Sequence, residues 1–174
     1  MKAMTPSALR SSDLPGAAAV RPVWGWVLLA GVVAGTLDLL FTVAWWAPQG
    51  VAPVRVLHSV AAWAIGREAA LSGGVATAGF GAALHYALMT AMAAGYVAFA
   101  RRFREWLRHP VATGLLYGAA CYTLLHVIVV PNFSAAPPRV VRPEWMLACL
   151  AAHMLLVGVP CALIARRALR SRRH

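Results

Sequence analysis

Charged side chains, and acidic ones above all, are scarce in this sequence. Asp and Glu number five against sixteen Lys and Arg in 174 residues, and the four types together make up only 12% of the chain. A soluble domain carries about twice that share of charge. Because 61% of the residues are apolar, the composition argues against a water-soluble globular protein and favours one that lies in a lipid bilayer.

The motifs of common soluble enzymes are also missing. The sequence contains no GxSxG motif, no Walker loop and no GxGxxG motif followed by an acidic residue. Its three cysteines, Cys121, Cys149 and Cys161, lie within apolar stretches and form no CxxC pair. We therefore expect no structural disulfide, and nothing in the sequence favours a conventional hydrolase or nucleotide-dependent enzyme.

Four apolar stretches are long enough to cross a bilayer, which takes roughly 20 helical residues. They cover residues 23–47, 75–100, 111–130 and 145–165. The sequence thus predicts an all-α integral membrane four-helix bundle over residues 23–165. A flexible tail is expected over residues 1–22, and a basic tail over residues 166–174.

The basic residues predict the orientation of these spans. Twelve of the sixteen Lys and Arg lie in the first tail, in the loop between spans two and three, and in the C-terminal tail. Positive charge near span ends is retained in the cytoplasm, so both termini are expected inside a bacterial cytoplasmic (inner) membrane. The net charge of +11 then reflects topology, and we expect the lipid bilayer as partner and no nucleic acid.

A shorter segment, Pro53–Gly66, lies between the first two spans. It is too short to span the bilayer, and it places Arg55, His58 and Ser59 on one face. These features predict a short interfacial amphipathic helix on the outer surface, with His58 at the interface or over the outer mouth of a site.

Paired glycines predict where the spans approach one another. Gly31 and Gly35 lie one turn apart in the first span, and Gly114 and Gly118 lie one turn apart in the third. Such small-xxx-small faces let helix backbones pack closely.

Each span also carries one ionisable residue in its interior. These residues are Asp38, His85, His126 and His153. At about 1.5 Å of rise per residue, they lie roughly 13, 15, 6 and 12 Å from the outer ends of their spans. Related depths on four helices are typical of sites built inside helix bundles, so these four residues are the candidate site.

Three interpretations of this site remain open at the level of sequence. The residues can act as a proton relay or ion site, because intramembrane Asp and His exchange protons near neutral pH. They can instead bind a metal ion or haem. In the third interpretation, the four residues serve solely to fix helix packing, as in a structural or accessory subunit. A second copy of the chain or another membrane protein is left open as a partner.

Several short segments resemble an uncharacterised bacterial inner-membrane family typified by YagU. They are Leu84-His85-Tyr86 with Ala94-Gly95-Tyr96, Leu125-His126-Val127 with Pro131 and Pro137-Pro138, and Ala152-His153-Met154 with Arg166-Arg167. The resemblance covers about the last hundred residues and does not extend to Asp38. It implies a multi-pass inner-membrane protein and assigns no activity.

The charge asymmetry makes a direct prediction about topology. Reporter fusions after residues 70, 105, 140 and 174 should report outside, inside, outside and inside, respectively, because the basic loops stay in the cytoplasm. A fusion at residue 174 that reports the outside would overturn this orientation.

Overall fold

The computed structural model describes residues 23–137 and 142–170, and all regular structure in these ranges is helical. The predicted tail over residues 1–22 lies outside the described residues. The helices are α1 (Val23–Trp46), α2 (Pro53–Ile65), α3 (Arg67–Ser72), α4 (Gly74–Arg102), α5 (Pro110–Phe133) and α6 (Pro143–Arg170). Two short 3-10 turns, Ala47–Gln49 and Arg104–Leu107, follow α1 and α4.

Four of these helices, α1, α4, α5 and α6, are long and apolar enough to cross a membrane. Large apolar side chains on their outer faces, such as Leu40, Leu116 and Leu147, are 61 to 68% exposed. Such exposure suits contact with lipid rather than with water. This confirms the all-helical fold class and fits a multi-pass membrane protein. The last helix continues to Arg170, five residues into the stretch predicted as a basic tail.

Two glycines with positive φ separate α2, α3 and α4. Gly66 (φ 83°) stands between α2 and α3, and Gly74 (φ 57°) begins α4. Residues with a Cβ atom are strained at these positive φ angles, so glycine permits both bends. The sequence predicted α2, whose bounds agree within a residue, but it did not predict α3.

Glycines bring the membrane helices together in two pairs. Gly31 of α1 lies directly on Thr90 of α4, where an added Cβ would clash with the threonine backbone and side chain. On the other side of the molecule, Gly158 of α6 lies against the backbone of Gly114 and Gly118 of α5. The close contacts predicted for both small-xxx-small faces are therefore present, α1 with α4 and α5 with α6.

Both α5 and α6 contain a π-helical segment. These segments cover Thr123–Val129 and His153–Gly158, and each ends shortly before a proline, Pro131 or Pro160. Proline has no N–H and its ring collides with the carbonyl four residues earlier. The helix therefore widens ahead of each proline, and one histidine of the candidate site lies in each widened segment.

The helix ends that lie far from α2 are closed by a core of mostly small side chains. Tyr96 and Cys161 are almost fully buried there. The hydroxyl groups of Tyr96 and Thr113 are 2.9 Å apart, and the Tyr117 hydroxyl donates to the Met92 carbonyl at 2.6 Å. These bonds tie α4 to α5, so this end of the molecule is packed tight.

The glycine contacts predict the effect of a single methyl group. Gly158→Ala should destabilise the protein by about 1–3 kcal/mol, because the new Cβ meets backbone atoms of α5 that cannot move aside. Thermal unfolding in detergent measures this loss. The matched control is Gly79→Ala on α4, where no atom lies within 4 Å of the new Cβ. Equal unfolding temperatures for the two variants would contradict the backbone contact.

Candidate functional site

A cavity of about 830 Å³ lies between the membrane helices at the end where α2 packs. Side chains from α1 through α6 line it. Its lining includes the carboxyl group of Asp38, three arginines, and the imidazoles of His58, His85, His126 and His153. The four residues predicted from the sequence thus line one cavity, and the structure adds His58.

The shortest contact within the predicted set joins α1 to α6. The Asp38 Oδ1 lies 3.8 Å from the Nδ1 of His153, and both residues are buried. This separation exceeds hydrogen-bond length, yet it is short enough for a carboxylate and a protonated imidazole to attract each other electrostatically. Asp38 and His153 therefore form a buried acid–imidazole pair.

His85 on α4 lies close to α1. Its Nε2 donates a hydrogen bond of 2.9 Å to the backbone carbonyl of Gly35, one turn before Asp38. Gly35 also packs against α4, where an added Cβ would meet the Tyr86 ring at 2.9 Å. His85 is buried and fixes α4 against α1 beside the acid.

His126 lies among aromatic rings. Its imidazole is stacked on Tyr122 with ring centroids 5.2 Å apart, and it meets the edge of His153 at 5.1 Å. Trp63 of α2 packs edge-on against the same imidazole at 5.8 Å. His126 consequently connects α2 to the Asp38–His153 pair through ring contacts.

The polar face of α2, with Arg55, His58 and Ser59, lines the cavity. The sequence left two positions open for His58, the interface and the outer mouth of a site. The opposite face of α2 packs on α4, where the Leu57 carbonyl touches Gly81. His58 is buried, and its Nε2 donates to the Gly74 carbonyl at 2.9 Å.

The hydrogen bonds of three histidines determine which ring nitrogen carries the proton. A carbonyl only accepts, so His58 and His85 hold their proton on Nε2, and His153 holds it on Nδ1, where the Cys149 carbonyl accepts at 3.0 Å. The second nitrogen of each neutral imidazole is then a bare acceptor. The bare nitrogens of His58 and His153 are buried without a hydrogen-bond partner in the described part of the chain.

Arginine and aromatic side chains surround the cavity on the α2 side. Arg142 donates to Gln49 at 2.7 Å, forms an ion pair with Glu144 at 2.8 Å and lies over the ring of Trp46. Trp46 in turn meets the edge of Trp145 at 5.2 Å. These contacts join the end of α1 to the start of α6.

Metal ligation is less well matched by this arrangement. Within residues 23–137 and 142–170, no group of three or more His, Cys, Asp or Glu side chains is disposed to hold one metal ion. Cys121, Cys149 and Cys161 are free and buried. The same residues are suited to exchange of protons between neighbours, which needs no convergent ligand set.

Sequence reasoning missed Trp63, and it did not include Arg55 or His58 in the candidate site, although it placed both on one face of α2. A usable signal was present, since the polar face of α2 was recognised from its spacing. The spacing of residues along α2 does not reveal what its polar face packs against, because the same side chains suit both water and a polar cavity.

Comparisons of the chain with protein-family models, with curated proteins and with solved structures find no match.

The His85 hydrogen bond predicts a graded response to substitution. His85→Leu should lower the stability by about 1 kcal/mol, because the bond to the Gly35 carbonyl is lost between two helices. His85→Gln should lose less, since an amide N–H can donate to the same carbonyl. Unfolding in detergent compares the two variants. A glutamine variant that is no more stable than the leucine variant would contradict a role for the bond.

Proposed function

We propose that this protein is a multi-pass protein of a bacterial cytoplasmic membrane whose Asp/His cavity exchanges protons as part of an ion- or proton-linked function. The observation that carries the proposal is the lining of one cavity by Asp38, His85, His126 and His153, with Asp38 3.8 Å from His153. The resemblance to the YagU family agrees with this location.

The cost of a carboxyl group at membrane depth supports a functional role. Asp38 is buried in the middle of an apolar helix, where an acid must be neutralised, paired or hydrated. Packing alone is achieved more cheaply by apolar side chains. The acid beside an imidazole instead provides two groups between which a proton can move.

The π-helical segments support the same proposal. His126 and His153 both lie in such segments, and π turns occur frequently at functional sites. At His153, the first residue of its segment, the Cys149 carbonyl accepts from both the backbone N–H and the imidazole. The ring that meets Asp38 is therefore held against its own helix.

The finer architecture belongs to the proposal. We infer a four-helix bundle of α1, α4, α5 and α6 around the cavity, with both termini in the cytoplasm. In this arrangement, α2 lies at the outer interface and covers the mouth of the cavity. Its exposed Arg55 and the neighbouring tryptophans match the residues that prefer headgroup depth.

A structural or accessory role is the second candidate. It is favoured by the bonds from His58, His85 and His153 to backbone carbonyls, because these bonds connect or orient helices without any ligand. Binding of a metal ion or haem in the same cavity is a third candidate. Elemental analysis and a visible spectrum of the detergent-purified protein distinguish a bound metal ion or haem from proton exchange.

Asp38→Asn distinguishes proton exchange from packing. The amide has nearly the same shape, so the variant should fold, but it cannot take part in acid–base exchange. In proteoliposomes, a pH jump from 8 to 5 should load about one proton fewer per chain than in the unmodified protein. A pH-sensitive dye measures the uptake.

The matched control is Glu105→Gln, which removes an exposed carboxyl group far from the cavity. The proton uptake of this control should fall below that of the unmodified protein only by the titration of one surface carboxyl group. The same pH jump on the detergent-solubilised proteins should give the same difference. If Asp38→Asn takes up as many protons as the unmodified protein, the proton-linked proposal is wrong and the structural role stands.

A further inference from the structure

Three arginines line the cavity on the α2 side: Arg55 at the start of α2, Arg67 at the start of α3, and Arg142 before α6. Arg142 is paired with Glu144. Within the described ranges, Arg55 and Arg67 have no carboxylate within salt-bridge distance. Among the described residues, the mouth of the cavity therefore carries more positive charge than its ion pairs neutralise.

The walls between this mouth and the Asp38–His153 pair are mostly apolar. Leu39, Leu71, Leu88, Val127 and Val130 contribute to them. An inorganic ion gains no binding free energy from such walls, whereas an apolar chain does, because its apolar surface is removed from water. The volume of about 830 Å³ is in the range of pockets that hold one drug-sized ligand.

We propose that the cavity binds a single-chain amphiphile with an anionic oxygen headgroup, a phosphate or carboxylate, at Arg55 and Arg67 and its apolar chain along the walls. This inference rests on the proposed function in one respect, that the cavity lies in a membrane with α2 at its outer mouth. Arginine favours such a headgroup, because its planar guanidinium donates two parallel hydrogen bonds to phosphate or carboxylate oxygens.

The charge distribution argues against the opposite ligand class. A cationic headgroup would meet Arg55 and Arg67 at the mouth before it reached Asp38, which is the one carboxyl group that the described residues contribute to the cavity wall. A neutral amphiphile would leave the arginines without partners. An anion complements the mouth and keeps its charge at the depth of the membrane headgroups, where Trp46 and Trp145 also lie in the inferred topology.

The probe for this proposal is radiolabelled dodecyl phosphate, bound to the full-length protein in nanodiscs of zwitterionic lipid. It should bind at about one molecule per chain. Unlabelled dodecyl phosphate and dodecanoate should compete with it, whereas dodecyltrimethylammonium, dodecyl maltoside and inorganic phosphate should compete at least tenfold more weakly. Equal competition by inorganic phosphate would overturn the amphiphile, and equal competition by the ammonium compound would overturn the anion.

Substitutions of arginine test whether the headgroup binds at Arg55 and Arg67. The double variant Arg55→Gln/Arg67→Gln should bind dodecyl phosphate about tenfold or more weakly, because charge-assisted hydrogen bonds are lost. Its matched control is Arg101→Gln/Arg102→Gln, which removes the same charge from the far end of α4 and should bind as the unmodified protein does. Equal losses in both variants would mean attraction to the net charge alone and would overturn the site.

A separate variant tests the apolar walls, and a separate readout keeps the two proposals apart. Leu88→Trp should fill part of the cavity and weaken binding of dodecyl phosphate, and unchanged binding would overturn the assignment of the apolar chain to these walls.

The arginine double variant, Arg55→Gln/Arg67→Gln, should retain the proton uptake of the unmodified protein. Loss of dodecyl phosphate binding with intact proton uptake thus separates this inference from the proton-linked proposal.

Discussion

A polar group buried between apolar helices finds its partners only on other helices or on the backbone, because lipid offers none. The site is organised by this constraint. His85 uses the Gly35 carbonyl, His153 uses the Cys149 carbonyl, and His58 uses the carbonyl of Gly74. Each bond leaves the second ring nitrogen free of a proton, so the backbone determines the acid–base state that the neutral rings present to their neighbours.

The backbone adapts to the same constraint at its prolines. Pro131 and Pro160 each follow a π-helical segment that contains a histidine of the site. The two segments belong to the helices that glycines hold in backbone contact. His126 and His153 meet ring to ring at 5.1 Å, and Gly118 of α5 lies directly against the backbone of His153.

The long apolar runs sufficed to predict the four membrane helices, because span length depends only on the thickness of hydrocarbon. The glycine contacts were predictable for a similar reason, since only small residues permit such approach. The sequence predicted the helix α2 and its polar face, but not that this face contributes three residues to the cavity lining. It also omitted the π segments, although Pro131 and Pro160 were a visible signal. Burial of a helix face depends on its tertiary partner, which spacing along the chain does not contain.

The glycine contacts also limit how the molecule can move. Where backbone packs on backbone, no side chain can rotate aside, so α1 cannot slide past α4, nor α5 past α6, without losing these contacts. Tyrosine hydrogen bonds join the two helix pairs at one end, between α4 and α5. The Asp38–His153 contact joins them at the other end, between α1 and α6. Any movement of one helix pair relative to the other therefore breaks or lengthens a polar contact at one end of the molecule.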